Sequence, residues 1–286
     1  MRPILQQIQH RSSQIIANGL LGDATPEADF ATAEDPGLFG PGSVTWQIHA
    51  DMSTLVGGFR SLLLQPLQPL AMAAVADNSV MQDDPLGRFR RTSRFVLTAT
   101  MGNTKAAERD IASVNKIHSK ISGVAPDGRS YVANDPHLIL WVHLTEVDSF
   151  LDSYNRYGKE ALSAERQDRY VDEMSQLAIK LGAHPNEVPR TVAELKSALA
   201  SFKDECVYGN QARDGVKFLL EAPVPLVARV PYTVIGAAAL ESLPGWAQKM
   251  MDIDPIRGVG PFLVKPTTSA VTQALRWLST DPFVEN

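Results

Sequence analysis

From Pro85 to Phe150 the apolar positions recur every three to four residues, the period of helices with one buried face. Arg88, Arg91 and Thr92 stand at i, i+3 and i+4, and Phe95 and Ala99 prolong the same stripe, so basic and apolar groups share one side. A solvated helix sets its arginines opposite its phenylalanine. Here the guanidinium groups are expected to reach an anion at the edge of a core; stems snorkelling over a packed helix are the alternative. In the next helix, expected from Glu108 to Ser122, Ile111, Val114, His118 and Ile121 fall on one face, so His118 is on the buried side. Gly123 is expected to stop that helix, and Pro126-Asp127-Gly128 to turn the chain. Asn134 or Asp135 then caps a helix with Pro136 in its first turn. Its inner face collects Ile139, Leu140, His143, Val147 and Phe150, while His137 stays at the surface. A histidine on such a face is either a satisfied core imidazole or a ligand or catalytic group.

The rest of the chain repeats the helical period. Ile4, Ile8, Ile15 and Ile16 mark an amphipathic helix from Pro3 to Leu21, and an acidic, Gly/Pro-rich loop runs from Gly22 to Ser43. That loop is either a surface connector or a flap over a ligand. Ser43 caps a helix on which Trp46, His49, Ser53 and Val56 share a face, with His49 either a half-buried neighbour of Trp46 or a group that approaches a pocket from the distal side. The uncharged stretch from Ser61 to Ala76 is a core helix interrupted by Pro66 and Pro69, too broken to span a bilayer. After Phe150 the helix is expected to fray from Ser153 to Lys159. Ser163 starts the next helix and Gly182 ends it, and Thr191 with Glu194 forms a capping box ahead of Leu195, Leu199 and Phe202. Further helices are expected over 212–221, 231–240, 245–252 and 267–280. Only Ser130 to Ala133 has a strand pattern. The expectation is an all-α fold, one multi-helix domain over residues 1–286 in which 1–42 form an N-terminal helix and loop.

Charge and composition narrow the function classes. The 286 residues carry a net charge of −5 with no long basic run, which argues against a nucleic-acid partner. The lone Cys206 excludes an internal disulfide and iron–sulfur or multi-cysteine zinc sites. No signal-peptide pattern opens the sequence, so a cytoplasmic protein is expected. The nucleophile elbow, the phosphate loop and the dinucleotide-binding glycine pattern are all missing from the sequence. No His-x-x-x-His or Glu-x-x-His pair supports zinc or di-iron. Glu146 lies one turn after His143, within hydrogen-bonding reach on the helix, and no second acid shares its face. Glu108 and Asp110 are read as first-turn charges.

Taken together, Arg88-x-x-x-Thr92, His118 on the following helix and Tyr131-x-Ala133-x-Asp135-Pro136-x-Leu138-x-x-Trp141-Val142-His143 resemble the rubber-oxygenase catalytic domain. That family holds the latex-clearing proteins, the fungal oxygenase of mycophenolic acid biosynthesis and an uncharacterised actinobacterial branch, to which the Asp-Pro-to-His motif is closest. The segment from Gly57 to Gln65 resembles the family's apolar helix, and the likeness runs from about Phe39 to the final helices. The resemblance implies a mostly helical, globin-like core around haem b, with His118 as the proximal iron ligand and Arg88 and Thr92 lining the haem pocket. In the latex-clearing branch the chemistry is oxidative cleavage of a carbon–carbon double bond by dioxygen. Two departures bear on this. Arg91 replaces a lysine of that branch that approaches the iron; a guanidinium stays protonated and offers no lone pair, but it can hydrogen-bond dioxygen or a substrate. An upstream glutamate of that branch has no counterpart, since no acid occurs between Leu55 and Ala76. Polyisoprene cleavage by that route is not expected. The function expected is a haem-b-dependent oxygenase or oxidoreductase acting on a small apolar substrate with dioxygen or peroxide, with Arg91 and His143 as pocket groups. A non-catalytic haem or apolar-ligand carrier, or a haem-free helical protein, is the alternative.

Overall fold

Ser43 accepts a hydrogen bond from the Trp46 amide and so starts α1 (Val44–His49). The computed structural model describes residues 29–78, 85–224, 226–253 and 260–278; the helix expected from Pro3 to Leu21 lies outside them. The stripe from Trp46 to Val56 is not one helix. The chain breaks at 50–53, where Asp51 accepts from the Ser53 amide and holds Arg276 with two hydrogen bonds of 2.7 and 2.9 Å. α2 (Thr54–Leu64) then begins afresh. Pro66 and Pro69 turn the apolar run that follows into a single 3-10 turn (Gln65–Leu67) and then α3 (Pro69–Asn78), because neither proline can donate to a continuing ladder.

α4 (Pro85–Met101) and α5 (Thr104–His118) form an antiparallel pair around Gly102. α5 starts earlier than expected because the Asn103 side chain accepts from the Ala106 amide. Glu108 and Asp110 therefore sit beyond its first turn, and they pair with Lys180 and Arg109 at 3.4 and 2.9 Å. α5 also ends earlier, at His118, since residues 122–124 leave the helix to form β1 (Ser122–Val124), antiparallel to β2 (Ser130–Val132). Gly123 is not a helix stop. It faces Tyr131 across the hairpin, and a Cβ there would stand 2.5 Å from the tyrosine hydroxyl.

α6 (Pro136–Tyr157) is the axis of the molecule. Asp135 caps it by accepting from the His137 amide, with Pro136 in the first turn. It does not fray at Ser153: Tyr154 and Tyr157 are buried and carry the helix to its end. Its buried positions run round most of the circumference, as in a helix enclosed by others. α2 packs along one side, α7 (Ala164–Leu181) and α8 (Val192–Phe202) along others. Gly182, at φ 112°, ends α7, and the Thr191–Glu194 capping box starts α8 as expected. α9 (Asn210–Leu220), α10 (Leu226–Glu241), α11 (Gly245–Met250) and α12 (Gly260–Leu278) complete the shell; α10 packs on α2 and α12, and α12 reaches α6. The core beneath them includes Trp141, Leu144, Tyr170, Leu63, Leu64 and Leu195, all sealed from water. Burial of each is worth about 1.5–3 kcal/mol. The described residues are thus all-α apart from one short hairpin, as the hydrophobic period implied. No described helix is long and apolar enough to cross a membrane.

Candidate functional site

The α4–α5 pair is tight at its turn and loosens away from it. Ala99, Met101, Ala107 and Ile111 near the turn are buried, whereas Phe95, Val96 and Val114 farther along are half-covered and Ile117 is 54 % exposed. The closed end is pinned by the acidic loop: Asp35 accepts from the Thr104 amide at 3.0 Å and its hydroxyl at 2.6 Å, and Asp29 pairs with Arg109. The described part of that loop is a clamp on the turn. The open end carries the residues singled out in the sequence. Fourteen residues separate Arg88 from Gly102 and sixteen separate Gly102 from His118, so both stand about 21–24 Å along the pair. Arg91 and Thr92 are exposed on α4; the side chain of Arg88 lies outside the described part of the structure.

His118, the last residue of α5, is half-buried. Its Nδ1 is shut off from water without a hydrogen-bond partner among the described residues. Burial pushes its pKa down, which keeps the imidazole neutral and its lone pair available. Among the described residues no three His, Cys, Asp or Glu side chains gather as a metal cluster. One neutral imidazole on a helix is what haem iron requires of a protein, and cations on the adjoining helix suit its propionates. Among the described residues His118 is the side chain that could take that role, with Arg91 exposed on the adjoining helix.

His143 lies elsewhere, on α6. It is 4 % exposed, its Nε2 is buried without a partner among the described residues, and burial holds its pKa down at about 4. Ile139, one turn earlier, lies by the end of α7, where a Cβ on Gly182 would stand 3.3 Å from its Cδ1, which sets this face of α6 toward α7. Glu146, one turn later, has the Gln65 side chain beside its carboxyl, and burial pushes its pKa up to about 7. Gln65 is held in turn: its amide donates to Ser61 Oγ at 2.8 Å, and its carbonyl accepts from Trp141 Nε1 at 3.0 Å. The Tyr170 hydroxyl is held high by burial and by the charges of Glu146 and Glu173. His49 Nε2 lies 3.1 Å from that hydroxyl, with its ring 4.6 Å from Phe150. His49 is therefore a fully enclosed histidine bonded to Tyr170, with its pKa down at about 3, and not a half-buried neighbour of Trp46. His137 is at the surface as expected, paired with Glu205 at 2.9 Å and stacked on Phe202.

Two sets of groups emerge. Arg88, Arg91, Thr92 and His118 share the open end of α4–α5, while His143 and Glu146 lie on α6, and Gln65 at the end of α2, Tyr170 on α7 and His49 on α1 belong to elements that pack around it. The sets stand on adjoining walls, since α7 packs on both α5 and α6 and α1 on both α4 and α6. Sequence reading missed Gln65 and Tyr170. Gln65 had one signal, an amide within an otherwise apolar run; Tyr170 had none beyond its place on a buried face.

No curated protein and no solved structure matches the chain. The family profile described as ER-bound oxygenase mpaB/B'/Rubber oxygenase, catalytic domain, matches residues 46–277, from α1 to the last turns of α12. That span includes the α4–α5 pair, His118 and the whole of α6, and so the chain belongs to this family of oxygenase catalytic domains.

Proposed function

We propose that the chain is a cytoplasmic, haem-b-dependent oxygenase, a single domain that acts on a small apolar substrate with dioxygen or peroxide. The observation that carries this is His118: a half-buried imidazole whose pKa burial lowers and whose Nδ1 has no partner among the described residues, at the end of a helix inside the span of an oxygenase family. In this reading His118 holds the iron, and Arg88 and Thr92 border the cofactor. Haem, when bound, supplies the redox chemistry that activates oxygen.

The chain's own groups do the rest. Arg91 stays protonated and acts only as a donor, toward oxygen or toward the substrate. His143 is neutral at physiological pH, so its Nε2 either donates to or accepts from an oxygen atom without carrying charge. The aliphatic and aromatic positions around Phe150 and Val147 keep water from that face. The test is a visible spectrum of the protein expressed with iron and a haem precursor, followed by oxygen uptake with a panel of lipids and terpenoids. A Soret band with substrate-dependent uptake is expected. No Soret band, even after haemin is added, rejects the reading; retained haem without uptake makes the protein a carrier.

A further inference from the structure

We propose that the junction of α2, α6 and α7 is a recognition site for an alcohol hydroxyl on an otherwise apolar ligand, bound by Glu146 and His143. The inference rests on the reading above that a small apolar substrate enters this interior, and it names the substrate's one polar group. His143 is 4 % exposed and its Nε2 has no partner among the described residues. Buried polar atoms are almost always paired in folded proteins, so such an atom points to something it binds. Glu146 sits one turn away on the same side of α6, close enough for both groups to reach one small molecule. Glu146 is half-buried there, and burial pushes its carboxyl pKa up. The Gln65 side chain lies beside that carboxyl while its Nε2 donates to Ser61 Oγ, which leaves carboxyl oxygen capacity open. Val142, one turn before Glu146, is incompletely covered, and its neighbours on α6, Leu144 and Val147, are apolar and sealed from water. A few converging polar groups in an apolar wall are the usual form of a small-molecule site.

The neighbouring charges select the class of ligand. Among the described residues Arg60, the one cation on α2, is already engaged by Asp148, Ser149 and the Ser242 carbonyl, so α2 offers an anion beside Glu146 no counter-charge. Tyr170 and His49 bond one another. What remains is one carboxyl and one neutral imidazole, which a hydroxyl complements as donor and acceptor at once.

Calorimetric titration of the full chain with 1-octanol and with 1-chlorooctane tests this, since the two differ little in size and only the first hydrogen-bonds. The wild type is expected to bind the alcohol about tenfold tighter. Glu146→Leu and His143→Leu are each expected to remove that preference while still binding 1-chlorooctane, which also reports that they fold; Glu146→Gln, which keeps hydrogen bonding, retains it. Equal affinities in the wild type, no binding of either compound, or a preference that survives both leucine variants overturns the proposal. Should either leucine variant fail to fold, the wild-type pair and Glu146→Gln still decide it. Spectra taken on the same samples separate the two readings: an alcohol preference without haem rejects only the cofactor, and haem without a preference rejects only this site.

Discussion

Arg60 Nη2 stands 2.8 Å from Asp148 Oδ2, and both side chains are almost completely buried. The same guanidinium donates to Ser149 Oγ and to the Ser242 carbonyl, while Lys196 takes the other Asp148 oxygen. One pair thus joins α2, α6, α8 and the residue that follows α10. Burial raises the Asp148 carboxyl, but Arg60 and Lys196 outweigh it and hold it below the usual carboxylate range. Removing either partner strands a buried charge. Asp148→Ala or Arg60→Ala is expected to destabilise by about 3–5 kcal/mol in urea unfolding. Lys196 is largely exposed, and Lys196→Ala is expected to cost under about 1 kcal/mol.

Acid should unfold the protein earlier than its carboxylates alone require. Burial keeps His143 neutral down to about pH 4, against 6.5 for a free imidazole. Below pH 6.5 the unfolded chain takes a proton that the folded chain refuses, so stability is full above that pH and is lost down to about 4. From pH 7 to pH 5 the loss through this one group is about 2 kcal/mol. His143→Gln is expected to shrink the difference between unfolding free energies at those two pH values by that amount, and an unchanged difference would contradict the burial assigned to His143. His49 should behave alike, over a window that reaches about pH 3.

Glu146 acts with the opposite sign. Its folded pKa is raised from 4.5 to about 7, so the folded state keeps a proton that the unfolded chain releases, and stability falls as pH rises through that window. Glu146→Gln is expected to stabilise the protein at pH 8 by about 3 kcal/mol and to change little at pH 4. Thermal unfolding of both proteins at the two pH values reads this directly.

How much of this was legible depended on whether the cause was local. Ser43, Ser163, Gly182 and the Thr191–Glu194 box act within a turn of themselves, and the structure places those boundaries where the residues imply them. The end of α5 was misread because Gly123 looks like a helix stop until Tyr131 is seen lying across it. The break after His49 depends on Asp51 meeting Arg276, 225 residues away, which no window of sequence reveals. The same holds in the interior. His143 was legible as an inward-facing imidazole from its spacing, but the Gln65–Glu146 and His49–Tyr170 pairs link different helices and have no periodic signature. The open end of α4–α5 was legible in outline, since a stripe that passes from arginine to phenylalanine to alanine matches a surface that is exposed at Arg91 and sealed at Ala99.

The most direct test of the account is the haem content of purified protein, taken as Soret absorbance relative to protein, in the wild type, His118→Ala and His143→Ala. The account predicts that the wild type retains haem, that His118→Ala loses it, and that His143→Ala keeps more than His118→Ala does. Equal retention in the wild type and His118→Ala would contradict it.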